Sequence, residues 1–419
     1  MALSHRALHV LRDSDPKNRP DDRILFHPTK HPEGLANLGC GENRVVEKEV
    51  EEKLKEFVLH EDEFGEILQY SGRKELGETR KELISYFSRS CKVQIEEEQA
   101  ILLPTCTAAF DLVTHVLLDP HDVILTTSPA FLDILVASAR RGQFRVEGVP
   151  VGPLNPDLRI EDYARVVSEL QKNGDRVRAI VIVHPHNPIG WIATKEKLIE
   201  LANWAASQGL FVVFDEILSG TVSLSSSFTS ALSFINELHT PERVVWMSSL
   251  AKDLGSPGLH SALVVSPSET IRQALLILRK LTPIPPVSQL MLTHLLKDCE
   301  WVDETVLLSR KRLDANREYV KMALDRLSIP YSCAEGGLTL LADFSQYIDG
   351  SSYEAQSSLT EYLTTKGVFI NGGVTVNAPS PGWFRIAYAR PREELKTGVK
   401  RLFEALSLGR DWNEELRWH

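Results

Sequence analysis

The chain has 419 residues, 43% apolar and 25% charged, enough for a large core and more than one domain. Its 47 basic and 57 acidic residues leave a formal charge of −10, which disfavours nucleic acid and anionic membrane as partners. Five widely spaced cysteines without a CxxC pair fit neither a disulfide framework nor a zinc ribbon, and no apolar run nears the roughly 20 residues that span a bilayer, so a soluble, cytoplasmic protein is expected.

Residues 1–45, rich in Pro, Asp, His and Gly, read as an extended arm. Residues 45–60 carry apolar positions at helical spacing. Between about 75 and 300, helical stretches alternate with the runs ILLP, VILTTSP, FRVEGVPV, AIVIVHP, LFVVFDE, RVVWMSSL and SALVVS. Most of these runs are too apolar for strands with one wet face. The expected fold class is therefore α/β, a mainly parallel sheet covered by helices on both faces. Thr194 and Gly209 bracket one clear helix. After residue 300 the layout turns α+β: a charged helix over 302–328, then the short pieces LTLLADF, GVFING and WFRIAYA, then a terminal helix. The expected organisation is an arm (1–45) packed on the small domain, a large domain (46–300) and a smaller C-terminal domain (301–419).

Ligands of open parallel sheets collect beyond the carboxyl ends of the strands. There the sequence places Phe131, Asn187, Asp215 and, after RVVWMSSL, Ser249 and Lys252. A lysine amine able to form an imine and a buried carboxylate able to keep a pyridine nitrogen cationic suit pyridoxal phosphate. Asp215, at the end of an apolar strand, also requires a cationic partner. Singly, each residue has a plainer reading: Asp215 as a helix cap, Lys252 as a solvated lysine, Phe131 as a core aromatic, Tyr70 as a hairpin tyrosine. Jointly they favour the cofactor. Thr105, Cys106 and Thr107 open the helix TAAFDLVTHVLL, whose free N–H groups can seat a phosphate, although Thr105 also reads as a simple N-cap. His184 and His186 flank one proline with no third ligand at zinc spacing, so no metal site is expected.

The stretch Ser248–Gly258, SSLAKDLGSPG, resembles the lysine segment of fold-type I pyridoxal-phosphate enzymes. Its Lys-Asp-Leu-Gly-x-Pro-Gly order resembles the 1-aminocyclopropane-1-carboxylate (ACC) synthase-like branch of the class I aminotransferases. The segments LGCGEN (38–43), Tyr70-Ser71-Gly72, Asn187-Pro188-Ile189-Gly190, Asp215-Glu216-Ile217 and Pro381-Gly382-Trp383-Phe384-Arg385 agree in order. The resemblance implies a fold-type I transferase and a role for each matching residue. Lys252 attaches the cofactor and then moves the Cα proton, Asp215 pairs with the ring nitrogen, and Phe131 covers the ring face. Asn187 donates to the ring 3-oxygen and, with Leu218, lies beside the substrate. Thr105, Cys106, Thr107, Ser249 and His260 surround the phosphate. Tyr70, grouped with Lys252 and Asp215 as catalytic, reaches that phosphate from the second subunit of a homodimer. Arg385 holds the α-carboxylate of a small amino-acid substrate. Glu42 and Asn43 line the entrance, and Asn43 could equally cap the next helix.

Leu218 stands where the family usually has a tyrosine, and His260 where it usually has an arginine. Both departures count against ordinary transamination and against ACC synthase activity, and an apolar wall at 218 suits a bulky substrate. The expected activity is β-elimination, C–S cleavage of a cysteine S-conjugate in secondary metabolism, similar to the lyases of gliotoxin-type epidithiodiketopiperazine pathways. The alternatives are an aminotransferase, an ACC synthase-type elimination on S-adenosylmethionine, and a catalytically silent cofactor-binding protein.

Overall fold

The computed structural model describes Ser4 and residues 23–68, 77–131, 133–348 and 350–407. The arm contributes β1 (Ala36–Asn37). The seven apolar runs form β2 (Ala100–Leu103), β3 (Val123–Ser128), β4 (Arg145–Pro150), β5 (Val177–Val183), β6 (Phe211–Asp215), β7 (Val244–Ser249) and β8 (Ala262–Val265). These seven make one sheet in the order β2-β8-β7-β6-β5-β3-β4, parallel except for β8. Alternate residues divide between two apolar layers. Val212, Phe214, Val244 and Trp246 face one, and Val213, Val245 and Met247 face the other. Both faces are dry except at the edge strand β4, which is why the other strands lack polar alternation. Helices Gly77–Cys91, Ile160–Lys172 and Lys195–Ser207 cover the first layer, and Cys106–Leu117, Asp133–Gly142 and Glu269–Leu278 the second.

Helix ends follow local chemistry. Thr194 accepts from the Lys197 N–H at 3.4 Å, and Gly209 stands at φ +73° just beyond the same helix, as expected. The helix expected over 45–60 is shorter, Glu47–Lys55. Past it, the Phe57 ring turns its edge to His294, with centroids 5.7 Å apart. The long charged helix spans Cys299–Arg326, and Asp298 caps it by accepting from the Trp301 N–H at 3.1 Å.

The remaining strands are β9 (Thr339–Asp343), β10 (Val368–Phe369), β11 (Asn371–Gly372) and β12 (Trp383–Ala387). They give an antiparallel sheet β11-β12-β9 and a parallel pair β1-β10. GVFING, expected as one strand, is two, because the chain leaves β1 after Phe369 and pairs with β12 from Asn371. The arm thus threads between these elements. Leu38 donates to the Phe369 carbonyl and accepts from the Ala387 N–H. It is fully buried against Gly398 of the helix Arg392–Leu406, where a Cβ would come within 2.9 Å of its side chain. This anchor fixes the path of residues 39–43. Among the described residues no helix is long and apolar enough to cross a membrane.

Candidate active site

The ends of three strands come level. Val183 pairs with Asp215, and Asp215 with Met247, so Asn187, Asp215 and Lys252 emerge along one edge. All three line a cavity of about 320 Å³. Cys40, Glu42, Cys106, Phe131, Leu218 and Arg385 share its wall. So do Phe110, Leu338 and Thr339, which carry no motif and reach the cavity only through the fold.

Lys252 belongs to a one-turn helix, Leu250–Asp253, opened by the Ser249 hydroxyl accepting from the Ala251 N–H at 3.1 Å. Its amine donates to the Gly41 carbonyl at 2.7 Å. Burial pulls the amine below the ordinary lysine range, Cys40 and Glu42 push it back up, and Arg385 lowers it further. The Lys252 carbonyl accepts from Asn43 Nδ2 at 2.7 Å. Asn43 is buried and also donates to Ser309 Oγ at 2.8 Å. It neither lines the entrance nor caps the helix from Glu47, whose N-cap Val46 has no side-chain bond. A buried amide must satisfy its own groups, and here it does so by tying the arm to the lysine turn and the long helix.

Burial lifts the Asp215 carboxyl to about 6, against the pull of the Ile217 N–H and the Lys252 charge. That N–H donates to Asp215 Oδ1 at 3.1 Å. Asn187 Oδ1 is buried and has no hydrogen-bond partner. Arg385 is 4% exposed; it donates to the Gly39 carbonyl at 3.0 Å, and its guanidinium lies 4.7 Å from the Phe131 ring centre. Leu218 is buried in the wall, and Glu42 is exposed at its rim.

The expected phosphate residues gather by register rather than on the cavity wall. Ala262 of β8 pairs with Leu103 on one side and Ser249 on the other, so the segments after β2, after β7 and before β8 share an edge. Thr105 caps its helix by accepting from the Ala108 N–H at 3.0 Å, and Thr107 is exposed. Ser249 Oγ faces Ser261 Oγ at 3.5 Å, and His260 follows the turn Pro257–Leu259 at φ +59°. Of this set only Cys106 reaches the cavity, where burial pushes its thiol well up. Tyr70 lies outside the described residues. His184 and His186 are buried, and their pKa values fall to about 4 and about 3 for that reason. They bond apart, His186 to Thr127 Oγ1 and His184 to the Ala193 carbonyl.

The family pattern described as aminotransferase class I and II matches residues 33–402, from the arm through the terminal helix. The chain belongs to the class I and II aminotransferase family. Its relatives mark the ACC synthase-like branch. ACC synthase-like protein 1 of Takifugu rubripes is 27% identical over 92% of this chain, which spans 64% of that relative's length. ACC synthase 1 of Prunus mume is also 27% identical, over 91% of this chain and 80% of its own length. A human relative, 26% identical over 91% of this chain and 69% of its own length, is described as a probable inactive ACC synthase-like protein 2. The fold is shared with a Thermus thermophilus aspartate aminotransferase variant (TM-score 0.77, 21% identity, 97% and 100% of the two chains). An archaeal alanine:glyoxylate aminotransferase overlays equally well (TM-score 0.77, 21% identity, 90% and 91%).

Aminotransferases of this family depend on pyridoxal phosphate, and the residues of this cavity fit it. Asp215 is a half-buried carboxyl without a firm cationic partner, Asn187 has an unpaired amide oxygen, and the Lys252 amine has a depressed pKa. A flat heterocycle with a cationic nitrogen and a reactive aldehyde answers the carboxyl and the amine.

Proposed function

We propose that this protein cleaves the C–S bond of a cysteine S-conjugate by β-elimination. The observation that carries the reading is the convergence of Lys252, Asp215 and Arg385 on one cavity whose wall at residue 218 is a leucine. When bound, the cofactor supplies the electron sink that lets a Cα–H bond break. Arg385, planar and buried, holds the substrate α-carboxylate through paired N–H donors. The Lys252 amine, its pKa lowered by burial, takes the Cα proton. Asp215 sets its charge against the ring nitrogen, Asn187 donates to the 3-oxygen, and Phe131 shields one face. The apolar wall keeps water from the reacting carbon and gives a bulky sulfur substituent room.

The Cα–H and Cβ–S bonds break, and the sulfur leaves as a thiol carrying one proton. One water converts the remainder to pyruvate and ammonia. In the same reading the chain divides near residue 300, and two copies share their sites through Tyr70 near the phosphate set of Thr105, Thr107, Ser249 and His260. Purified protein given an S-substituted cysteine should release thiol, pyruvate and ammonia in equal amounts. Stoichiometric conversion of the cofactor to its pyridoxamine form, reversed by a 2-oxo acid, would instead identify an aminotransferase.

A further inference from the structure

A fully buried acid directly follows each of two cavity residues: Glu216 after Asp215, and Asp253 after Lys252. Neither lines the cavity. Glu216 is fully engaged, accepting from the Ser230 hydroxyl, the Ala231 N–H and Trp246 Nε1. Asp253 is bound from two other elements. Its Oδ2 accepts from the Tyr86 hydroxyl at 2.7 Å, and a backbone bond from Gly220 reaches the same side chain. The backbone of Gly220 closes on the same carboxyl, so tightly that a Cβ there would lie 2.4 Å from Asp253 Cγ. Gly220 sits in the turn Ser219–Thr221, one residue beyond the start of the Leu218 wall's own loop. In that turn the Thr221 hydroxyl donates to the Leu218 carbonyl at 2.6 Å and accepts from the Gly337 N–H at 2.9 Å, next to Leu338 of the cavity. One carboxyl therefore joins the lysine turn to the wall it faces.

We propose that Asp253, oriented by Tyr86, is a positioning residue that holds the Lys252 turn against the loop of the Leu218 wall; this rests on Lys252 being the reactive lysine. Both partners of this carboxyl lie on other elements, so it ties the lysine turn to the Leu218 loop and to the helix of Tyr86. Burial raises its pKa to about 7, opposed by the Tyr86 bond. Tyr86 comes from the helix Gly77–Cys91, remote in sequence from both cavity elements.

The test uses holoenzyme of the parent, Asp253→Asn, Tyr86→Phe and the double variant. Borohydride reduction and peptide mapping first locate the cofactor, and the visible absorbance is then titrated with pH. Both single changes loosen the turn that carries the amine, so each should move the spectral midpoint by about half a unit or more. Each should also lower kcat about fivefold or more with KM nearly unchanged, and the double variant should go no further than Asp253→Asn. If Asp253→Asn does not fold, Tyr86→Phe carries the test alone. Unmoved midpoint and kcat in folded variants, or additive shifts in the double variant, overturn the proposal. A cofactor adduct on another lysine would sink the assignment of Lys252 itself, independently of the titration.

Discussion

Arg385 is buried over Phe131, and in the proposed reaction it also offers a fork of donors to the substrate carboxylate. Lysine keeps the charge but not the fork. Arg385→Lys should therefore cost about 2 kcal/mol of transition-state binding, roughly thirtyfold in kcat/KM. Leu218→Tyr restores a phenol beside the ring 3-oxygen and should lower the midpoint of the cofactor's spectral titration; an unmoved midpoint would place residue 218 away from that oxygen. Asp215 links chemistry to stability. Its folded pKa of about 6 lies above the ordinary carboxyl value of 3.8, so the folded cofactor-free protein binds more protons between those values than the unfolded chain. Stability is therefore lost as pH rises from about 4 to 6, by about 3 kcal/mol in all. Asp215→Asn should relieve this loss in denaturant titrations of cofactor-free protein. A difference between variant and parent that does not change with pH would contradict a carboxyl held neutral by burial.

Elements were legible in the sequence wherever their signal was local. Six of the seven sheet strands follow apolar runs, because strands covered on both faces have no polar alternation to confuse; the edge strand β4 is partly exposed. Lys252, Asp215 and Asn187 were legible because the carboxyl edge of a parallel sheet is where ligands bind, whatever the loops do. Contacts that join distant segments were not. Asn43 reaches the Lys252 carbonyl across 209 residues, and nothing in LGCGEN distinguishes a tether from a cap. The stack of Arg385 on Phe131 and the meeting of Asp253 with Gly220 likewise exist only after the fold closes. The last contact gives an element-scale prediction. Gly220→Ala forces a methyl into the Asp253 carboxyl, so the turn Ser219–Thr221 must shift at a cost of about 1–3 kcal/mol, read as a lower thermal midpoint. A stability equal to the parent's would mean that this turn is not packed against the lysine helix.

Across the whole molecule, two sheets and an arm meet at one cavity. The large sheet brings Asn187, Asp215 and Lys252, β12 brings Arg385, and the arm brings Cys40, Gly41 and Glu42. None of these parts makes a site alone, which is why the cavity follows from the fold and not from any single motif. The net charge of −10 gives no hint of an arginine buried in the cavity wall. Such local contrast is ordinary in sites that bind carboxylates. The central claim is that the Lys252 amine carries pyridoxal phosphate. Its most direct measurement is borohydride reduction of the purified, cofactor-supplied protein followed by peptide mapping. The account predicts a pyridoxyl group on Lys252 that disappears, with the visible absorbance, in Lys252→Ala. A pyridoxyl group on any other lysine, or none at all, would contradict it.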